Sequence, residues 1–221
     1  MPCCAHCQAT ANQFDAPVAQ RDRERYQRHG PDWTTGGILR LVREAGARDA
    51  SLLDIGGGIG VIPLELLRAG AASAVHVEAA PSYSAAAREL LEAEARDGRV
   101  RFVTGDFADA VSTVPPADVV TLDRVVCCYP DAEGLLRAAA AHAGRLLALS
   151  YPRDRWYVRA AIRLENGVRR LRRNPFRTFV HPPEAFATTL RTAGLAPVRR
   201  ESSLAWAAEL WERSPAERID G

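Results

Sequence analysis

The sequence predicts an α/β fold: a mostly parallel sheet with helices on both faces and further helices ahead of it. Three observations carry that prediction. Five short β-rich runs alternate with longer helix-like stretches. The runs are almost continuously apolar, as strands buried on both faces must be. The first of them leads straight into a glycine-rich turn, Gly56-Gly57-Gly58-Ile59-Gly60.

The predicted strands are SLLDI (51–55), AVHVE (74–78), RVRFVTG (99–105), DVVTLD (118–123) and RLLALSY (145–151). Helix-like stretches fill 59–69, 81–96 and 131–143, the second of them opening on Pro81-Ser82. Such alternation implies right-handed crossovers. Two helices, 9–28 and 34–45, are expected ahead of the sheet, split by HGPDWTTGG. An Arg-rich helical stretch, 153–173, follows the fifth strand, and a Pro-started helix, 181–194, ends at Gly194. The remaining LAPVRRESSLAWAAELWER reads as one or two strands. No repeat or linker interrupts the pattern, so one domain over 1–221 is expected.

Composition narrows the class. A chain of 221 residues, 47% of them hydrophobic, can build a core. No apolar run approaches the ~18 residues of a membrane span, and MPCCAHCQAT has no leader pattern. A cytoplasmic protein is expected. A net charge of +2 is too small to argue for nucleic acid. All 29 basic residues are arginine, so Schiff-base chemistry on lysine is excluded. Five cysteines in two groups do not suggest a disulfide framework. Cys3, Cys4, His6 and Cys7 have part of a zinc pattern, but no remote second pair outside the 127–128 loop, and no metal is expected.

In open α/β sheets, ligands bind beyond the carboxyl ends of the strands, where the strand order reverses. The glycine turn stands there. It fails the dinucleotide pattern, because Val61 or Pro63 occupies the third glycine position. It fails the P-loop pattern for want of Lys. What remains is Asp54-x-Gly56-x-Gly58-x-Gly60. Glu78 ends the second strand in VHVEAA, Asp106 follows the third in FVTGDFAD, and DVVTLDRVVCCYPD holds the fourth strand and its loop. Over roughly residues 34–150 this series resembles the class I S-adenosylmethionine-dependent methyltransferases.

The resemblance implies a Rossmann-like methyltransferase fold with residues 1–45 as a helical lid. It makes 50–151 the cofactor-binding core and 152–221 the substrate-recognition helix and terminal elements. The implied cofactor is S-adenosyl-L-methionine. Gly56, Gly58 and Gly60 would let the backbone approach it, and Asp54 would orient its ammonium side. Glu78 would accept from the ribose hydroxyls and Asp106 from the adenine amino group, with Phe107 against the ring or offering its N–H. Asp123 is expected beside the cofactor. Cys127, Cys128 and Tyr129 would line the pocket over the methyl group, the cysteines packing rather than reacting. Candidate general bases are His181, Tyr26, Asp123 and His29.

From 153 to 177 there are nine Arg and two acids, and Trp156, Ala160, Leu164, Val168 and Leu171 form an i, i+4 stripe. The stripe is expected to pack on the sheet or pocket, leaving Arg155 and Arg159 at the pocket mouth. The basic face suits an anionic substrate, a membrane surface or RNA, or is simply solvated. The expected reaction is methyl transfer to a small molecule, with an oxygen acceptor and an anionic group, by in-line displacement that relies on positioning. A nitrogen or carbon acceptor, an RNA-directed protein, and a fold using the cofactor for other chemistry stand as alternatives. The oligomeric state is not legible.

Overall fold

The computed structural model describes residues 5–214, with side chains from residue 8. Two helices open the chain, α1 (Ala5–Gln13) and α2 (Ala16–His29). Asp15 separates them: its carboxylate accepts from the Val18 N–H at 3.1 Å and caps α2. The expected single helix over 9–28 is therefore two. α3 (Trp33–Glu44) starts inside the stretch expected to break the chain. Asp32 caps it through the Thr35 N–H, at 3.1 Å. Gly37 is tolerated within the helix for packing, since a Cβ there would lie 3.3 Å from that of Ala208.

The alternating part then runs β1 (Ser51–Ile55), α4 (Val61–Arg68), β2 (Ser73–Glu78), α5 (Pro81–Leu90), α6 (Glu92–Arg96) and β3 (Val100–Thr104). It continues with α7 (Phe107–Ala110), β4 (Ala117–Leu122), a 3₁₀ turn (Val126–Cys128), α8 (Ala132–His142) and β5 (Ala143–Pro152). The last elements are α9 (Trp156–Leu171), α10 (Pro183–Thr192), β6 (Leu195–Ser202) and β7 (Trp206–Arg213).

The seven strands form one sheet in the order β3-β2-β1-β4-β5-β7-β6. The first five are mutually parallel, and β7 is antiparallel to both its neighbours. The order reverses between β1 and β4, so the loops after those strands open a crevice. Two buried layers hold the sheet. One joins Ile38, Leu39, Leu41 and Val42 of α3 and Leu64, Leu66 and Leu67 of α4 to the strands. The other joins Leu135, Leu136 and Ala139 of α8 and Phe186 and Leu190 of α10. α3 is thus a full member of a core layer, while the first two helices and α9 reach over the crevice.

One expectation is corrected. The apolar stripe of α9 does not pack on the sheet or the pocket. Trp156, Leu164 and Leu171 are 80%, 71% and 85% exposed, and Val168 is exposed as well. The inward face is formed by Val158, Ile162, Glu165 and Arg169 instead. That face lines a cavity, so its side chains are partly polar and the sequence pattern points the other way.

Candidate active site

The crevice is built from the carboxyl ends of β1 to β4. Gly56, directly after β1, has φ 61°, and a Cβ there would stand 2.6 Å from the Val125 side chain. Only glycine meets both conditions. Gly58, at φ 56°, donates its N–H to Glu78 at 2.9 Å. Gly60 does something different. At φ 85°, it starts α4, and a Cβ would fall 2.7 Å from Leu91. It serves the packing of α4 on the α5–α6 corner and lines no cavity described here. Gly57, which the alternating pattern passes over, also has no room: a Cβ would overlap Asp54 and His76.

Glu78 is buried at the end of β2. Its second oxygen accepts from the Ala80 N–H at 2.7 Å. Burial pushes its carboxyl above the usual carboxylate range, against the pull of these two bonds. Each oxygen keeps a lone pair for a further donor. Asp54 lies in β1 with one oxygen accepting from the Thr121 hydroxyl at 2.6 Å. The other has no hydrogen-bond partner: the His76 ring nitrogen stands at 3.7 Å, beyond hydrogen-bond reach. Asp123 accepts from the hydroxyls of Thr35 and Ser150, both at 2.5 Å. The next residue, Arg124, pairs with Asp32 at 2.8 Å.

Asp106 caps α7 by accepting from the Ala108 N–H at 3.0 Å, and the Tyr129 hydroxyl donates to the same oxygen. The Phe107 ring is buried edge-on against His142, 5.3 Å between centroids. Its ring is therefore held by the core.

Two adjoining cavities share Gly56, Gly58, Asp22, Tyr83, Asp123 and Arg124. The smaller, about 80 Å³, is a charged cleft reaching Asp54, Arg25, Asp32 and Thr35. The larger, about 410 Å³, runs from Glu78, Asp106 and Phe107 past Cys127, Cys128 and Tyr129 to Ile162, Arg169, Thr178 and Trp206. Phe14 closes it from above, edge-to-face with Tyr83 at 5.2 Å and Phe176 at 5.4 Å. The Asn174–Gln13 hydrogen bond, 3.0 Å, ties the chain after α9 to α1.

The cysteine thiols sit at the turn after β4, 3.8 Å apart. The contact with the Cys128 thiol, together with burial, pushes the Cys127 thiol up and keeps it protonated. His181 is outside the cavity lining. Its Nε2 meets the Tyr129 carbonyl at 3.0 Å, and burial holds its pKa below the usual value. Tyr26 reaches only the charged cleft, where its hydroxyl donates to Glu65 at 2.7 Å. Burial and that bond push its pKa up to about 12, so it is a poor base near neutrality. His29 is exposed at the end of α2. Of the four expected bases, Asp123 alone lines the larger cavity.

Arg155 and Arg159 are exposed and absent from the lining, and Arg159 is paired with Asp154. The guanidinium on the far side of the cavity is Arg169, held by Glu165, Asn166 and Thr178 and set over the Phe176 ring at 5.1 Å. Sequence reasoning missed Arg169, Phe14, Tyr83 and Arg124. Arg169 carried a signal, since it lies off the apolar stripe of its helix. Phe14 carried none. The side chains of the Cys3, Cys4, His6 and Cys7 cluster lie outside the described residues.

Comparison with known proteins agrees with this architecture. The family model of an O-methyltransferase domain matches residues 37–142. No curated protein sequence matches the chain. Magnesium protoporphyrin IX methyltransferase of Synechocystis, solved with bound SAH, superposes with a TM-score of 0.73 at 18% identity, over 94% of this chain and 99% of that one. An O-methyltransferase family protein of Burkholderia thailandensis gives 0.63 at 24% identity, over 90% of this chain and 64% of its own. A putative RNA methyltransferase of Pyrococcus horikoshii gives 0.57 at 14% identity, over 81% and 83%. At such identities, structural likeness speaks for the fold and leaves the acceptor open. With the sheet order and the glycine turn, the chain has the Rossmann-like fold of the class I S-adenosylmethionine-dependent methyltransferases, and residues 37–142 match an O-methyltransferase domain.

Proposed function

We propose that the protein is an S-adenosylmethionine-dependent methyltransferase that acts on a small, largely apolar or aromatic molecule, at an oxygen atom. One observation carries the reading: the larger cavity is continuous from the Glu78 end to an aromatic chamber under Phe14 and α9. About 410 Å³ falls within the range of small-molecule sites. A cavity of this size and lining suits a small acceptor better than a nucleic acid. The matched domain type supports oxygen.

The residues present fit the cofactor. Asp54 offers a buried, unpartnered acceptor on the floor of the charged cleft, suited to an ammonium directly or through water. Glu78 is the acceptor for the ribose diol. Asp106 and the backbone at Phe107 edge the adenine. Asp123 and Arg124 present opposite charges to the zwitterionic end. Bound there, the cofactor supplies a sulfonium-activated methyl group. The protein's own task is to align the acceptor oxygen in line with it, an effect worth about 7–11 kcal/mol. Cys127, Cys128 and Tyr129 shape the wall beside that line. The Thr35 and Ser150 hydroxyls hold Asp123 in place. Positioning carries the catalysis. Arg169 and the neighbouring Thr178 hydroxyl anchor an anionic or polar substituent on the acceptor. Among the described residues no helix is long and apolar enough to cross a membrane.

The test is to incubate the enzyme with methyl-labelled cofactor and a cell extract, then fractionate. Label is expected in small molecules that resist nuclease and protease. Label confined to RNA contradicts the proposal.

A further inference from the structure

The outward face of α9 has no function in the site. Trp156, Leu164 and Leu171 are its most exposed apolar side chains, with Val168 beside them. Leu204, in the turn before β7, is 82% exposed and adjoins the Trp156 end, because the Tyr157 hydroxyl donates to the Leu204 carbonyl at 2.7 Å. Together they form a continuous apolar strip along a helix of 16 residues, about 24 Å long. Monomeric proteins seldom expose such a strip without a partner for it.

The strip has a basic border. Arg155, Arg159, Arg163, Arg170, Arg172 and Arg173 are all exposed. Glu165 is engaged by Arg169 and Asp154 by Arg159, so the acids of the segment are already paired. Arginine heads beside outward Trp and Leu are the composition of a helix that lies in a lipid interface, its apolar side chains about 5–10 Å deep. The guanidinium groups then meet anionic headgroups.

We propose that α9 docks the enzyme on an anionic lipid surface, with Trp156, Leu164, Leu171 and Leu204 inserted and the arginines on the headgroups. Charge decides between occupants. A second copy meeting this face across a two-fold axis would bring arginine rows of one sign together, which costs affinity. RNA satisfies the arginines but leaves three leucines and a valine against water. An anionic bilayer satisfies both. Because Ile162, Glu165 and Arg169 line the cavity from the opposite side of the same helix, docking sets the acceptor chamber one helix diameter from the headgroups. The proposal stands on this surface alone and not on the identity of the acceptor.

Co-sedimentation of the full chain with vesicles tests it. Vesicles of phosphatidylcholine and phosphatidylglycerol should bind the protein at least about tenfold more tightly than phosphatidylcholine alone, and the difference should shrink as salt rises. Leu164→Ser with Leu171→Ser should weaken that binding at least about tenfold, as losing two inserted side chains requires. Arg163→Glu with Arg170→Glu should abolish the preference for anionic lipid. Circular dichroism and cofactor binding should be unchanged in both variants, which separates lost docking from lost folding. Absence of binding to the anionic vesicles overturns the proposal, as does equal binding to both kinds. A dimer in light scattering that Leu164→Ser with Leu171→Ser dissolves also overturns it, since the strip is then covered by a second copy.

Discussion

Replacing Glu78 by alanine removes three things at once. The carboxylate holds the Gly58 N–H at 2.9 Å and the Ala80 N–H at 2.7 Å, and it stands ready for the ribose hydroxyls. Hydrogen bonds to a charged acceptor contribute about 1.5–3 kcal/mol each. Two lost at the lower figure come to about 3 kcal/mol, or roughly 150-fold in affinity. The effect on folding is smaller. Two backbone donors lose their acceptor, but water entering the vacated space re-satisfies them, and the cost of burying a charge disappears with it. Calorimetric titration with S-adenosylhomocysteine reads the first effect and thermal melting the second. Glu78→Gln should also bind weakly, because its amide presents a donor to one of those N–H groups. An affinity within threefold of wild type for the folded Glu78→Ala protein would refute the assignment.

Gly60→Ala should cost about 2–5 kcal/mol of stability, combining a left-handed backbone with overpacking on Leu91, while the folded fraction keeps its cofactor affinity; denaturant melts and calorimetry check this. Cys127→Ser and Cys128→Ser should each retain turnover, losing far less than the roughly 10²–10⁴-fold typical of a removed general base; steady-state kinetics decide, and a collapse with cofactor binding intact would make a thiol catalytic. Glu78 also predicts a pH effect. Burial raises its pKa above the unfolded value, so the apo protein gains stability from this group as pH falls and loses it as pH rises through the raised pKa. Ribose needs the ionised form, so cofactor affinity should fall as pH drops into that window, and this dependence should vanish in Glu78→Gln.

The parallel core was legible because its strands are buried on both faces and read as unbroken apolar runs. The carboxyl ends of those strands located Asp54, Glu78 and Asp106 without any knowledge of contacts. Helix boundaries were read less well where packing overrides propensity. Gly36 and Gly37 look like a break, yet α3 runs through them because it lies close on Ala208. Leu91 divides 81–96 because it fills the space over Gly60. On α9 the periodicity was legible but its direction was not. An apolar stripe is ordinarily turned inward, and here the inward face belongs to a partly polar cavity. The far wall of that chamber combines Phe14, Arg169, Phe176 and Trp206 from three distant stretches, and no local pattern brings such residues together.

The central claim is that the glycine turn and its acids hold S-adenosylmethionine and not a dinucleotide. Calorimetric titration of the purified chain with S-adenosylmethionine, S-adenosylhomocysteine and NADH tests it in one experiment. Saturable binding of both adenosyl ligands at one site per chain, with no heat from NADH, is the predicted result. Binding of NADH, or silence toward both adenosyl ligands by a folded protein, would contradict it.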